Sequence, residues 1–230
     1  MVRSRRFQIA IDGPVGAGKT SVGKAVARRL GMRFFDTGLT YRAMTLAALE
    51  RGVRVDDPSA LAHLAAHVQI DVRDGAGAET RILVDGQDVT DELRSVEIDG
   101  SVSAVSAVPA VRRRMVEVQR AIAATGSIVM AGRDIGTVVV PDADLKVFLT
   151  AGDETRARRR YEEMGSHSDA SSYAEVLDGL RRRDRIDSER EASPLRPARG
   201  ARIVDTDAMT LEEVVTAVCE MAGAAMAAGS

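Results

Sequence analysis

Residues 13–20 combine glycine, lysine and threonine in a pattern suited to binding phosphate groups. They read Gly-Pro-Val-Gly-Ala-Gly-Lys-Thr, a complete Gly-x-x-x-x-Gly-Lys-Thr motif. Glycines let a backbone wrap closely around an anion, and the N–H groups of such a loop and of the helix after it face the phosphates. We expect Lys19 to reach the β- and γ-phosphates of a nucleotide and the Thr20 hydroxyl to ligate Mg²⁺.

The residues on either side of this motif support the same interpretation. An apolar strand pattern over Phe7–Ile11 precedes it, and a helical pattern over Ser21–Leu30 follows it. The motif is informative only between a strand and a helix, so its context matters as much as its letters. The sequence therefore predicts an ATP site made of Gly13, Pro14, Val15, Gly16, Ala17, Gly18, Lys19, Thr20 and Ser21.

Two further groups of polar residues follow predicted strands. Thr37 and Arg42 come after the short strand Arg33–Asp36, and Arg133 and Asp134 come after an apolar stretch that ends at residue 131. The carboxyl ends of parallel strands are where α/β folds bind ligands. These residues are candidates for a second phosphate and an acceptor molecule. The alternatives are a helix cap at Thr37, a surface role for Arg42 and a structural turn at Arg133–Asp134.

Two arginine-rich helical segments come later in the chain. Arg183, Asp187 and Arg190 share one helical face by their spacing, which suits an anion and a hydroxyl group. Arg156 and Arg160 are also one turn apart, and an arginine arm of this kind could close over the transferred phosphoryl group. The alternative for both segments is a solvated charged helix. The small, polar residues 165–172 suit a hinged lid.

Composition narrows the class of protein. The chain has 230 residues, 45% of them hydrophobic, with a formal net charge of −2 and one cysteine, Cys219. The single cysteine excludes an internal disulfide and a cysteine-rich zinc site, and the charge gives no general attraction to nucleic acid or membrane. We find neither a membrane-length apolar run nor a signal peptide, and we expect a cytoplasmic protein.

Strand and helix patterns alternate along most of the chain, which favours an α/β domain with a parallel sheet. The predicted sheet strands lie over residues 7–11, 33–36, 127–131, 145–150 and 202–205. The rhythm breaks between about residues 68 and 100. There Gln69–Arg73 and Arg81–Asp85 nearly alternate in polarity on either side of a glycine-containing connection. We predict a small antiparallel insert of two or three strands at this point.

The motifs present and absent elsewhere in the chain indicate which class of nucleotide-binding protein this is. The chain contains no asparagine, so the Asn-Lys-x-Asp guanine signature of common GTPases is absent. Polar clusters at neighbouring strand ends indicate two ligands side by side, as in a small kinase. Two alternatives stay open: a kinase for UMP or a hydroxy acid, and a nucleotide switch or nucleic-acid-linked ATPase. The scarcity of aromatic residues, four Phe, three Tyr and no Trp, weighs against the second.

Taken together, the motifs closely resemble those of the bacterial cytidylate kinases of the nucleoside monophosphate kinase family. The resemblance rests on Ile11–Lys19, Asp36–Arg42, the stretch Gly132-Arg-Asp-Ile-Gly-Thr-Val-Val139, Arg183–Arg190 and Pro194-Leu195. It covers nearly the whole chain, and the Gly132–Val139 stretch is its most specific part. One departure is Thr37, where serine is commoner in the family; the hydroxyl is kept.

The resemblance implies the fold and the domain arrangement. The fold would be a three-layer P-loop NTPase with a parallel five-stranded sheet of order 2-3-1-4-5, a small antiparallel insert in the monophosphate-binding region and a short lid. Residues 1–58, 101–153 and 191–230 would form the core. Residues 59–100 would form the insert, and residues 154–190 the lid with its flanking helices.

The resemblance also implies the reaction and the site. The protein would transfer the γ-phosphoryl group of ATP to CMP or dCMP using Mg²⁺, with Lys19, Arg156 and Arg160 stabilising the transferred group. Apart from the resemblance, we expect a monomer. Ser103, Arg133 and Asp134 would read cytosine, and Asp187 would accept hydrogen bonds from the ribose. Arg42, Arg133 and Arg190 would hold the α-phosphate or nearby charge. The residues expected around CMP are Thr37, Arg42, Ser103, Arg112, Arg133, Asp134, Arg183, Asp187 and Arg190.

Overall fold

The computed structural model describes residues 6–74, 80–164 and 172–228. The strands are β1 (Gln8–Asp12), β2 (Arg33–Asp36), β3 (Ile70–Asp74), β4 (Thr80–Val84), β5 (Gln87–Asp88), β6 (Ile128–Gly132), β7 (Leu145–Thr150) and β8 (Arg202–Asp205). The helices are α1 (Lys19–Leu30), α2 (Gly38–Glu50), α3 (Pro58–His67), α4 (Val96–Ala107), α5 (Pro109–Ala123), α6 (Asp153–Met164), α7 (Tyr173–Glu189) and α8 (Leu211–Ala228). A 3₁₀ helix covers Thr90–Arg94 and a π-helix covers Ile135–Val139. Part of the predicted lid, residues 165–171, lies outside the described residues.

Five of the described strands form one parallel sheet in the order β2-β6-β1-β7-β8. Numbered among themselves, these strands run 2-3-1-4-5, so the predicted α/β fold and sheet order are confirmed. In the register of β1 with its two neighbours, Asp12 lies beside Gly132 of β6 and Phe148 of β7. The loops that follow β1 and β6 therefore leave the sheet at the same edge.

The described chain divides into two compact units. The first comprises the residues up to Phe34, Gly126–Glu189 and the chain from Ser193. Its core is apolar because β1, β6, β7 and β8 present buried aliphatic side chains to helices α1 and α8. Members of this core are Ile9, Ile11, Val22, Val26, Val129, Val147, Leu149, Val204, Val214, Val215 and Val218.

The second unit comprises Phe35–Thr125 and Arg190–Ala192. Helix α2 packs on α4, and α3 packs on α5. A three-stranded antiparallel sheet of order β3-β4-β5 belongs to this unit, with Ile70 paired to Val84. The predicted antiparallel insert is therefore confirmed, with a third strand of two residues. Leu61, Ile82, Leu93, Ile98 and Met115 are completely buried.

Helix α4 is an element that sequence patterns did not indicate. Its residues include Gly100, several serines and β-branched residues, which are weak helix formers. It begins where the Ser95 hydroxyl accepts a hydrogen bond from the Ile98 N–H at 3.2 Å, as an N-cap does. The residue before Pro109 avoids helical angles, so α4 ends there and α5 begins.

Candidate functional site

The loop between β1 and α1 has the backbone that its glycines permit. Gly16 and Gly18 have φ angles of 74° and 81°, in the left-handed region that other residues rarely adopt. A Cβ on Gly13 would lie 2.2 Å from the carbonyl oxygen of Leu149 in β7. Gly18 is the N-cap residue of α1, so the first N–H groups of that helix face the loop. The strand–loop–helix context predicted for the motif is present.

Lys19 and Thr20 are the first two residues of α1. Lys19 is 8% exposed, and its Nζ donates a hydrogen bond to the Pro14 carbonyl oxygen at 2.6 Å. The lysine side chain therefore turns back along the loop. Among the described residues no group of three or more His, Cys, Asp or Glu could hold a metal ion. Mg²⁺ is commonly held by one or two protein oxygens together with substrate phosphates and water, and the Thr20 hydroxyl at the start of α1 is an oxygen of the kind that such a site needs.

Asp12, the last residue of β1, holds the turn that follows β6. It is 3% exposed. Its two carboxylate oxygens accept the N–H groups of Ile135 and Gly136 at 2.7 and 2.8 Å. Burial raises the pKa of Asp12 to about 6 from the ordinary value of 3.8, although both backbone hydrogen bonds and Lys19 act to lower it. Asp12 thus fixes the first turn of the π-helix to the end of the central strand.

The residues between β6 and the π-helix meet helix α7. Arg133 donates from Nε to the Asp187 carboxylate at 2.9 Å, and the Asp187 side chain is 8% exposed. Asp134, next to Arg133, is 2% exposed. Arg183 lies about one turn before Asp187 on α7 and is half-buried. The structure therefore joins the polar end of β6 to the predicted charged face of α7.

Arg156 of α6 is attached to the phosphate loop. Its side chain is 4% exposed, and its Nε donates to Ala151 O at 2.9 Å. Its Nη1 donates to the carbonyl oxygen of Val15 at 2.9 Å and to Asp184 at 2.5 Å. The second oxygen of Asp184 accepts the Val15 N–H at 3.4 Å. Arg156 and Asp184 thus contact the same loop residue.

The second predicted lid arginine has a different setting. The Arg160 side chain is 34% exposed and pairs with Glu163 of the same helix at 3.5 Å. At the start of that helix, Asp153 pairs with Arg181 of α7 at 3.1 Å and with Arg156. Hydrogen bonds from the guanidinium groups of Arg181, which has the larger effect, and Arg156 hold the pKa of Asp153 below its ordinary value. Of the two predicted arginines, Arg156 is seen to donate a hydrogen bond to the loop.

In the second unit, Thr37 and Arg42 lie on the first turns of α2. Thr37 is the N-cap residue and is 3% exposed; it makes no side-chain cap hydrogen bond. Arg42 donates to the carbonyl oxygen of Leu93 at 2.9 Å and forms an ion pair with Asp99 of α4. Arg42 is thus held between two elements of its own unit instead of projecting freely.

Ser103 and Arg112 are linked through Ser106 within the same unit. Arg112 is 3% exposed, and its Nη1 donates to the carbonyl oxygen of Ser106 at 3.1 Å. The Ser106 hydroxyl in turn donates to the carbonyl oxygen of Ser103 at 3.1 Å. The Arg112 guanidinium carbon lies 5.0 Å from the centre of the Tyr41 ring, within cation–π range. Arg190, 9% exposed, belongs to this unit as well.

Five acidic residues in these networks were not among the sequence candidates: Asp12, Asp99, Asp153, Glu163 and Asp184. For Asp12 a signal existed, because a carboxylate that ends an apolar, buried strand needs hydrogen-bond partners close by. Asp184 lies beside the candidate Arg183 but on a different helical face. Its contact with the loop depends on tertiary packing.

Comparisons with known proteins agree with this geometry. A family model described as cytidylate kinase matches residues 9–224. The cytidylate kinase of Pelotomaculum thermopropionicum is 47% identical over 207 residues, which cover 90% of this chain and 92% of that protein. The cytidylate kinase of Mycobacterium leprae is 47% identical over 214 residues, covering 93% of this chain and 94% of that protein.

One solved structure shares the fold. An uncharacterized protein from Eubacterium ventriosum aligns with a TM-score of 0.53 and 13% identity, covering 95% of this chain and 99% of that one. None of the described helices is both long and apolar enough to span a membrane. The match of the family model over nearly the whole chain, with relatives close to half identical, gives the assignment: the chain belongs to the cytidylate kinase family.

Proposed function

We propose that the protein transfers the γ-phosphoryl group of ATP to CMP or dCMP, giving ADP and CDP or dCDP. The observation that carries the proposal is that one compact unit holds both a complete phosphate loop and the Arg133–Asp187 pair. The loop is suited to binding a nucleoside triphosphate. The Arg133–Asp187 pair offers a cation and a carboxylate to a second polar substrate. The names of the relatives support a cytidine monophosphate as that substrate.

On the donor side, the loop N–H groups and Lys19 bind the β- and γ-phosphates of ATP. The Thr20 hydroxyl, together with the phosphates, would hold Mg²⁺, which supplies charge neutralisation there. Arg156 and Arg160 are assigned to the transferred phosphoryl group. The contact of Arg156 with Val15 supports its assignment more directly, because that guanidinium already lies at the loop.

On the acceptor side, we assign each role to residues whose chemistry suits it. Ser103, Arg133 and Asp134 read the cytosine ring, and Asp187 accepts hydrogen bonds from the sugar hydroxyls. The α-phosphate needs cations with a planar fork, because Arg grips phosphate through two N–H groups at once. The remaining assignments to CMP are Thr37, Arg42, Arg112, Arg183 and Arg190.

The reaction needs positioning and charge neutralisation more than proton transfer. A phosphate monoester has its second pKa near about 6, so an oxygen of the CMP phosphate is mostly ionised at neutral pH. That oxygen attacks the γ-phosphorus in line with the departing ADP, and no general base is required. The protein supplies cations fixed in place before the reaction, which stabilise the charge that spreads over the transferred group.

The compartment and the assembly are also part of the proposal. We place the enzyme in the cytoplasm as a monomer that acts on free nucleotides and not on nucleic acid. The formal net charge of −2 and the absence of tryptophan support small nucleotides as its partners.

The acceptor is tested by coupled ADP release with CMP, dCMP, UMP and AMP at equal concentration. CMP and dCMP should be phosphorylated far faster than AMP. Equal rates with all four would refute the base-reading role of Ser103, Arg133 and Asp134. Rapid ADP release without any acceptor would favour an ATPase instead.

The donor side is tested with Lys19→Ala against Lys24→Ala, which changes an exposed lysine of the same helix. Lys19→Ala should keep its circular dichroism spectrum and lose most of its turnover, about a hundredfold or more. Lys24→Ala should behave like the unmodified protein. Near-normal turnover of Lys19→Ala would reject the proposed mechanism.

A further inference from the structure

A carboxylate of helix α7 contacts the phosphate loop from outside the motif. Asp184 accepts the Val15 N–H through one oxygen at 3.4 Å and the Arg156 Nη1 through the other at 2.5 Å. The same Nη1 donates to the Val15 carbonyl oxygen at 2.9 Å. Both hydrogen-bonding groups of a single loop residue are therefore engaged. We call Val15, Arg156 and Asp184 the loop clamp.

The loop clamp is packed tightly and largely shielded from water. A Cβ on Gly16 would lie 3.0 Å from the Cβ and from the carbonyl oxygen of Arg156, so the loop and the start of α6 are in direct contact. The side chains of Arg156 and Asp184 are 4% and 20% exposed. Charges removed from water in this way interact more strongly than a surface pair, so the clamp restrains the loop.

Helix α7 connects this clamp to the acceptor side. Asp187 lies three residues after Asp184, so the two carboxylates are near neighbours on the helix. Asp187 pairs with Arg133 at 2.9 Å, and its carbonyl oxygen accepts the Leu195 N–H at 2.7 Å. A single turn of α7 therefore contacts the phosphate loop through one side chain and the end of β6 through the other.

We infer that Asp184 is a positioning residue that couples the binding of CMP to the binding of ATP. The inference rests on the CMP roles proposed above for Arg133 and Asp187. CMP bound to that pair restricts the position of α7, which holds Asp184 against Val15 and keeps the loop in its phosphate-binding conformation. By linkage, ATP strengthens the binding of CMP by the same factor.

The test measures the affinity of a non-hydrolysable ATP analogue with Mg²⁺ by titration calorimetry, without CMP and with saturating CMP. In the unmodified protein CMP should tighten analogue binding at least about fivefold. In Asp184→Asn, which still binds CMP, the effect should fall below about twofold. If Asp184→Asn does not fold, Asp184→Glu keeps the charge on a longer side chain and should lower the coupling at least about twofold; unchanged coupling would count against the inference.

Two matched variants separate the link from general charge effects. Asp178→Asn changes an exposed carboxylate of the same helix and should keep full coupling. Asp153→Asn removes another carboxylate from Arg156 but leaves the Asp184–Val15 bond, and most of the coupling should survive. If Asp153→Asn abolishes coupling as completely as Asp184→Asn does, the charge balance at Arg156 carries the effect and the inference is overturned.

Other results of the calorimetry and of an activity assay would separate failure of the coupling inference from failure of the proposed function. If Asp184→Asn tightens analogue binding without CMP and keeps the full CMP effect, Asp184 competes with ATP instead of coupling the substrates, and the inference is overturned. A coupled assay with CMP is run on the same preparations. Failure of the unmodified protein to phosphorylate CMP would refute the proposed function and this inference with it. Activity with CMP but equal coupling in Asp184→Asn would refute this inference alone.

Discussion

Replacing Asp12 by asparagine should change how stability depends on pH. The carboxylate is buried and accepts two backbone N–H groups, yet burial raises its pKa to about 6 from 3.8. In the folded protein Asp12 keeps its proton to higher pH than in the unfolded chain. Its contribution to stability is therefore fully present below the unfolded pKa and is lost as the pH rises through about 6.

The size of this effect follows from the two pKa values. A difference of about two pKa units corresponds to about 3 kcal/mol of free energy of unfolding. About 2 kcal/mol of it falls between about pH 4.5 and about pH 7.5. Asparagine does not ionise, so it avoids this loss. Near pH 4.5 asparagine resembles the protonated aspartic acid, because each offers the two backbone N–H groups one carbonyl oxygen and carries a donor group in place of the second carboxylate oxygen.

The measurement is urea unfolding of both proteins at these two pH values. Relative to the unmodified protein, Asp12→Asn should gain about 2 kcal/mol on going from the lower to the higher pH. Asp144→Asn, which removes a carboxylate that accepts the Gln8 N–H at 2.8 Å, corrects for the general effect of the substitution. A deficit of Asp12→Asn that grows with pH would show that the N–H bonds outweigh burial, and the reasoning would fail.

Two further predictions concern the loop and the second unit. Gly13→Ala would place a Cβ 2.2 Å from Leu149 O and should cost more than about 3 kcal/mol or prevent folding. A Cβ added at Gly179 on α7 would meet no atom of a neighbouring element within 4 Å. Gly179→Ala should therefore be neutral or raise the free energy of unfolding by up to about 1 kcal/mol in urea. Similar losses of stability in Gly13→Ala and Gly179→Ala would contradict the steric argument. Asp99→Asn frees Arg42 from its ion pair and should raise KM for CMP several-fold while KM for ATP stays within about twofold. Parallel rises in both KM values would point to a general structural loss.

The strands of the main sheet were predictable because buried parallel strands are continuous apolar runs with polar residues directly after them. Residues 128–131 and 145–150 show this most clearly, and the structure has strands there. The phosphate loop was predictable for the same reason, since its position after β1 is part of the motif. The antiparallel insert followed from near-alternation around a turn, which depends only on local sequence.

Helix α4 and the π-helix were not predictable in this way. The residues of α4 have low helix propensity, and its packing against α2 overrides that preference. The π-helix at Ile135–Val139 begins with two N–H groups that are held by a carboxylate more than a hundred residues earlier in the chain. Neither feature has a local pattern, because each depends on a partner that only the fold supplies.

In the candidate site, too, some residues were predictable from local sequence and others depend on the fold. Residue types and spacing identified the arginines and Asp187, but not Asp99 or Asp184, the acids that hold Arg42 and Arg156. Acidic partners within the described residues include Asp99 for Arg42, Asp187 for Arg133, Asp184 for Arg156 and Glu163 for Arg160. The positions of Asp99 and Asp184 could have been filled by other acidic residues of the chain, and sequence spacing does not distinguish among them.

These pairs have a consequence for phosphoryl transfer. A reaction without a general base depends on cations that are already oriented when the substrates arrive, because reorienting them at the transition state would cost free energy. A buried arginine without a carboxylate would be costly to keep charged in place. A carboxylate that holds the guanidinium through one or two N–H groups leaves others for phosphate, since arginine has five donors. Each acid therefore orients its arginine without using up all of its donors, and removing the acid should impair catalysis as well as stability.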